Sequence, residues 1–207
     1  MIWYGTSGQT QVFRGDLGGI GLGDLNTVVV TDAVAGGGSA GVFSGFDLDF
    51  IVLDQDGNFA TAGDRILPFE TPQTYVTPGA VRPSASFVPT PLHPGILFGL
   101  NADGSIDFAT ATIRVNDASY NGLALAPDSS HGWVTLGDGG MLTATFPQTT
   151  LTSSGMYLFV GEVGSYDEGL RATVDVTGRP TIPAPGAIVL GALGAGLVGW
   201  MRRRRTL

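Results

Sequence analysis

The sequence predicts an all-β body, an antiparallel β-sandwich of the jelly-roll type, followed by a single C-terminal transmembrane helix. Turn-forming residues are abundant, with 33 Gly and 12 Pro among 207 residues. Short runs of β-branched and aromatic residues alternate with polar ones along the body, which lacks a helical stripe. The predicted divisions are a β-sandwich domain at 1–177, a Pro-rich linker at 178–186, a transmembrane helix at 187–201 and an Arg-rich cytoplasmic tail at 202–207.

Twelve segments of the body have the composition and alternation of strands. They are separated by turn signals such as Asp56-Gly57, Asp103-Gly104 and Asp138-Gly139. The predicted strands cover residues 27–33, 42–53, 65–69, 74–77, 86–88, 96–100, 111–116, 122–125, 132–136, 141–146, 156–163 and 172–176.

The segment 42–53 (VFSGFDLDFIVL) is the most regular of these strands. Strict alternation would place Phe46, Leu48 and Phe50 on one face and Asp47 and Asp49 on the other. We expect the apolar face to point into the core and the two carboxylates to lie on an exposed face.

Charge and composition exclude several classes of site. The chain has no Cys, so it has neither disulfides nor thiolate metal sites. Six arginines against eighteen acidic residues leave a net charge of −12 before the tail. A body this acidic repels phosphate backbones, which argues against nucleic-acid binding and suits a soluble extracellular or cation-binding surface.

The C-terminal segment indicates a membrane anchor. Residues 187–201 carry no charge, and as a helix they would span about 22 Å, which suffices for a bilayer that thins locally around snorkelling arginines. Trp200 stands at the expected interface, and four arginines should stay on the cytoplasmic side. Small residues at four-residue spacing would permit close helix packing. The arginines are Arg202, Arg203, Arg204 and Arg205, and the small residues are Ala187, Gly191, Ala195 and Gly199.

The C-terminal segment contains the motif Pro183-Ala184-Pro185, followed by a Gly-rich apolar helix and then by a run of arginines. Over residues 182–207 only, this segment resembles the PEP-CTERM sorting domain. The resemblance implies recognition by exosortase, an inner-membrane cysteine transpeptidase-like enzyme, in a bacterium that makes extracellular polysaccharide. It also implies inner-membrane anchoring before processing, then delivery to the cell surface or beyond. Ala184 replaces the family's central Glu, so either a variant exosortase accepts the site or the anchor is permanent. Export also requires a signal peptide, which we expect to be encoded upstream of Met1.

Two acidic loops are candidate calcium sites, because oxygen ligands at alternate positions can converge on Ca²⁺ when a loop curls. The first contains Asp54, Asp56, Asn58 and Asp64, and the second contains Asn101, Asp103 and Asp107. Neither matches an EF-hand, and an ordinary Asp-Gly turn is the alternative for both.

The residues do not predict catalysis. His93 and His131 lack zinc-motif spacing, and the adjacent Ser129, Ser130 and His131 cannot form a triad. The leading hypothesis is therefore a non-catalytic surface or extracellular-matrix protein without a required cofactor.

Two alternative functions remain. The first is a carbohydrate-binding module, in which calcium shapes a loop and aromatic side chains stack on sugar rings. The second is a secreted glycan hydrolase that uses paired carboxylates such as Asp47 and Asp49. The candidate stacking aromatics are Trp3, Tyr4, Tyr120 and Trp133.

Overall fold

The computed structural model describes residues 1–33, 36, 40–41, 43–70, 72–84, 97–116, 132–147, 154–164 and 172–180. These residues contain nine strands and one short 3₁₀ helix, Ala62–Asp64. The strands are β1 (Ile2–Ser7), β2 (Thr10–Asp16), β3 (Leu22–Asp32), β4 (Asp47–Asp54), β5 (Tyr75–Thr77), β6 (Val134–Thr135), β7 (Met141–Thr145), β8 (Tyr157–Val163) and β9 (Ala172–Pro180).

The strands form two antiparallel sheets, which confirms the predicted all-β class. The five-stranded sheet has the order β1-β2-β8-β4-β6, and the four-stranded sheet has the order β5-β7-β3-β9. The main core draws on both sheets: β4 and β8 contribute Ile51 and Val160, and β3 and β7 contribute Val30 and Leu142. Two sheets with a shared apolar core between them have the layered arrangement of a β-sandwich.

A second, smaller cluster lies on the outer face of the five-stranded sheet. It consists of Val12, Phe50, Val52, Phe59 and Phe159. In β4, Ile51 belongs to the main core and its neighbours Phe50 and Val52 belong to this second cluster. Since successive strand residues point to opposite faces, this sheet has buried side chains on both sides.

A register shift in β4 corrects the predicted face of Phe50. The pairing of β4 with β8 is irregular between Leu48 and Phe50, so one extra residue is accommodated there. Leu48 therefore stays in the main core, together with Phe46, while Phe50 turns to the outer cluster. Strict alternation failed because it cannot anticipate a bulge.

The N-terminal residues form a β-hairpin that the strand prediction omitted. β1 and β2 pair from Ile2↔Arg14 to Ser7↔Thr10, and Gly8 in the turn has φ +60°. β2 then pairs along its whole length with β8. The N-terminal segment is thus an integral part of the five-stranded sheet.

Several other strand predictions differ from the structure. Neither 65–69 nor 111–116 forms a strand: Ile66 makes an isolated bridge with Leu53, and turns and bends occupy 113–116. The segments at 86–88 and 122–125, the beginning of 96–100, His93 and His131 lie outside the described residues. β9 ends at Pro180, so its last three residues lie in the segment that the sequence placed in the linker.

The sorting motif Pro183-Ala184-Pro185, the apolar segment 187–201 and the terminal arginines also lie outside the described residues. Within the part of the chain that the structure describes, no helix is long and apolar enough to cross a bilayer.

Candidate metal centre

The loop that follows β4 is closed by backbone hydrogen bonds at its base. The Leu53 N–H donates to the Ile66 carbonyl at 3.0 Å, and the Ile66 N–H donates to the Leu53 carbonyl at 2.7 Å. Asp54 stands just inside this closure at one end of the loop, and Asp64 stands just inside it at the other. The fold therefore brings together two carboxylates that are ten residues apart in the sequence.

Three of the four predicted calcium ligands converge. One carboxylate oxygen from each of Asp54, Asp56 and Asp64 lies within 4.8 Å of the other two. Two oxygens that are each about 2.4 Å from one Ca²⁺ can be up to about 4.8 Å apart, so the spacing fits a shared ion. Asn58 has a different role, because its Oδ1 accepts a hydrogen bond from the Ala60 N–H at 3.2 Å and helps to curl the loop.

Asp54 is fully buried, and its two carboxylate oxygens differ in their surroundings. Oδ1 accepts hydrogen bonds from the backbone N–H groups of Gly57 at 2.6 Å and Asp56 at 3.1 Å. Oδ2 is buried and has no hydrogen-bond partner, and Oδ1 of Asp64 is in the same condition. A buried carboxylate oxygen without a partner is costly, and a cation bound among the three carboxylates would offset this cost.

The pKa values of the cluster respond to this environment. Burial raises the pKa of Asp54 above its ordinary value, and the neighbouring Asp56 and Asp64 carboxyls raise it further against the effect of the backbone donors. The pKa of Asp56 is lowered, mainly by the Asn58 N–H that donates to its Oδ1 at 2.7 Å. A divalent cation would favour the ionised form of all three groups.

The two ion pairs among the described residues lie elsewhere and leave the three carboxylates uncompensated. They are Arg82–Asp138 and Arg114–Glu70. Two arginines contact the loop through backbone carbonyls: Arg14 on β2 donates from Nη1 to the Gly57 carbonyl at 3.1 Å, and Arg65 donates from Nη2 to the Phe59 carbonyl. These contacts hold the loop backbone and are not ion pairs with the carboxylates.

The turn at Gly57 needs glycine for two reasons. Its φ of +70° is in the left-handed region, and a Cβ at this position would lie 2.9 Å from the ring of Tyr157. The Arg14 guanidinium lies 5.3 Å from the centre of the same ring. The N-terminal hairpin and β8 thus support the loop. The sequence could not predict this support, because the contacts join parts of the chain that are distant in sequence.

In the second acidic loop, the two carboxylates accept hydrogen bonds from groups of their own turns. Oδ1 of Asp103 accepts hydrogen bonds from the Ser105 N–H at 2.9 Å and the Ser105 hydroxyl at 2.6 Å. Asp107 accepts from the Ala109 N–H and the Thr110 hydroxyl. These carboxylates stabilise turns, as the alternative reading of this loop expected.

The residues that the two alternative functions would use also differ in exposure from the prediction. Asp47 and Asp49 are buried instead of exposed, and they accept hydrogen bonds from the hydroxyls of Thr135 and Thr10 respectively. Trp133 is 2% exposed and stacks on Phe43 with ring centres 5.7 Å apart, so it is a core residue and offers no face to a sugar. Trp3 and Tyr4 are exposed, at 64% and 38% respectively, and Tyr120 lies outside the described residues.

Comparison with protein-family models, curated proteins and solved structures found no match.

Proposed function

We propose that this chain is a non-catalytic, calcium-binding surface protein whose β-sandwich body is exported and carried to the cell envelope by a PEP-CTERM-like tail. The observation that carries the calcium assignment is the buried, unpartnered Oδ2 of Asp54 beside two further carboxylates. The export assignment is supported by the order of sorting motif, apolar segment and arginines in the last 26 residues.

The strand order supports a jelly roll as the specific form of the sandwich. Two Greek keys wound together alternate early and late strands within each sheet. The five-stranded sheet contains the order β2-β8-β4-β6, and the other sheet contains β3-β7-β5. An isolated bridge between Tyr75 and Ser105 continues this second sheet beyond β5, where the eighth strand of a jelly roll would lie.

The chemistry of the loop favours calcium as its ligand. Calcium takes six to eight oxygen ligands, and carboxylates, amide or carbonyl oxygens and waters all serve. The loop supplies three carboxylates, and it ends at an exposed surface where water can complete the coordination, since Asp56 and Asn58 are exposed. Extracellular calcium modules bind with dissociation constants of roughly 10⁻⁴ to 10⁻³ M, which suits a structural ion at the cell surface.

The acidic body agrees with this location. Its net charge of −12 before the tail keeps it soluble and attracts divalent cations. The tail, with four arginines after the apolar segment, would hold the C-terminus on the cytoplasmic side until processing. We assign exosortase as the processing partner and no catalytic step to the body.

Cell fractionation tests the export assignment. The full chain, expressed behind a signal peptide in a PEP-CTERM host, should be found in the membrane fraction before processing and at the surface afterwards. Deletion of residues 187–207 should release a soluble body with the same melting temperature, because the described core lies entirely before the tail. A full chain that stays in the cytosol would overturn the export assignment. It would not bear on the calcium assignment, which is tested separately.

A further inference from the structure

An open groove of about 490 Å³ lies directly beside the calcium loop, on the outer face of the five-stranded sheet. Phe59, Ala60 and Arg65 of the loop form one wall, and Tyr4, Ser7 and Asn116 are among the residues that complete it. Its volume falls within the roughly 300–1,000 Å³ typical of small-ligand sites. The groove is therefore large enough for a sugar ring and part of its neighbour.

The polar side chains that line the groove are either cationic or neutral. Its described lining contains one cation, Arg65, together with hydroxyl and amide groups from Thr6, Ser7 and Asn116, and it contains no acidic residue. Arg65 therefore gives the groove a local positive charge in a chain whose net charge is −8. The ring of Tyr4 adds a partly exposed apolar surface.

The Arg65 side chain is held in place by the loop itself. Its guanidinium carbon lies 4.1 Å from the centre of the Phe59 ring, and Nη2 donates to the Phe59 carbonyl. Tyr4 fixes the same backbone segment, because its hydroxyl accepts the Phe59 N–H at 3.3 Å. A planar guanidinium that is already immobilised loses little entropy when it binds a carboxylate.

The groove and the metal centre share one short segment of chain. In the sequence, Phe59 lies between the metal-cluster residues Asp56 and Asp64, and Arg65 directly follows Asp64. Without a cation, three neighbouring carboxylates would repel an anionic ligand, whereas a bound Ca²⁺ would cancel most of their charge and fix the loop. Calcium should therefore strengthen anion binding in the groove.

From this arrangement we infer that the groove binds a saccharide bearing a carboxylate, that is, a uronic acid residue of a polysaccharide. Arg65 pairs with the carboxylate, the hydroxyl and amide groups bind the sugar hydroxyls, and the Tyr4 ring packs against the sugar. The calcium dependence of this binding rests on the proposed metal centre, and the groove chemistry does not.

The test compares two probes that differ only in the carboxylate. The full-length chain in a neutral detergent is titrated with methyl β-glucuronoside and with methyl β-glucoside by ligand-observed NMR, in excess calcium and in chelator. Acetate serves as a carboxylate without a ring. We expect the glucuronoside to bind at least about tenfold more tightly than the glucoside or acetate, and more weakly in chelator.

Matched variants assign the effect to Arg65. Arg65→Gln should weaken glucuronoside binding by about tenfold or more, and Arg65→Lys, which keeps the charge, should retain part of it. Arg114→Gln is the control, because this arginine pairs with exposed Glu70 and does not line the groove. If Arg65→Gln impairs folding, Asn116→Asp tests the same point by adding a negative charge to the groove, and it should weaken glucuronoside binding.

Equal affinity for the two sugars, or wild-type binding by a folded Arg65→Gln variant, would overturn the inference. Arg65-dependent binding that is the same with and without calcium would overturn only the calcium dependence. If calcium also left the melting temperature unchanged, that result would count against the metal centre and not against the groove. Calcium stabilisation without any sugar binding would leave the metal centre standing and refute the groove.

Discussion

The ring of Phe50 lies against the backbone of Gly161, its partner on the neighbouring strand β8. A Cβ at position 161 would collide with the ring carbons of Phe50. Phe50 in turn stacks on Phe59 of the metal loop, with ring centres 4.7 Å apart. The absence of a side chain at Gly161 thus allows the outer aromatic cluster to pack against the base of the loop.

Gly161→Ala should therefore lower the free energy of unfolding by about 1–3 kcal/mol, the usual cost of overpacking a buried site. Urea unfolding of the purified chain measures the change. Gly5→Ala, in β1 of the same sheet, is the control, because a Cβ there would meet no atom within 4 Å. An equal effect of the two substitutions would mean that the Phe50 contact is not responsible.

Thr10→Val tests the buried carboxylate of Asp49. The Thr10 hydroxyl donates to this carboxylate in a fully buried setting, and valine has the same shape without the donor. Loss of one hydrogen bond to a buried carboxyl group should lower the free energy of unfolding by about 1–3 kcal/mol. Thr143→Val, at a half-buried position on β7, should change it by less than about 0.5 kcal/mol.

The sequence predicted the strands whose alternation is regular and the loop whose ligands alternate. β7 and β8 were predicted within one residue of their ends, because apolar and polar residues alternate in β7 and β8 begins with a run of apolar, β-favouring residues. The face of Phe50 could not be predicted, because the bulge after Leu48 depends on pairing with β8. The hairpin β1–β2 could not be predicted from alternation, because neither of its strands alternates regularly between apolar and polar residues.

The candidate site was predictable only in its ligands. Asp54 and Asp56 are close in sequence, but the approach of Asp64 requires the bridge between Leu53 and Ile66. The groove could not be predicted at all, because Tyr4 and Asn116 reach it from segments far from the loop. Such contacts follow from the strand order, which local patterns do not determine.

The raised pKa of Asp54 predicts a specific pH dependence in chelator. A group whose pKa is higher in the folded state contributes stability below its unfolded pKa, near 3.8, and that contribution is lost as pH rises through the folded value. The wild type should therefore lose stability relative to Asp54→Asn as pH rises above about 4. The lowered pKa of exposed Asp56 acts in the opposite direction, and its main cause, the Asn58 N–H, is present in both proteins.

Calcium should reverse this dependence, because the ion binds the deprotonated carboxylate. The apparent affinity for calcium should fall as pH drops through the folded pKa of Asp54. Calcium titrations at several pH values between about 4 and 7 measure the effect. An affinity that is constant across this range would indicate that Asp54 is not a ligand.

The most direct test of the metal centre is the thermal unfolding of the wild type and Asp54→Asn, each with calcium and with chelator. At a free calcium concentration about a hundred times the dissociation constant, the free energy of unfolding of the wild type should rise by about 2.7 kcal/mol. This corresponds to a rise in melting temperature of about 5–10 °C for a chain of this size. Asp54→Asn should melt higher than the wild type in chelator, because it removes an uncompensated buried charge, and should not respond to calcium. Asp175→Asn, which removes an exposed carboxylate from β9, should keep the full calcium response. A wild type whose melting temperature is the same in calcium and in chelator would contradict the metal centre.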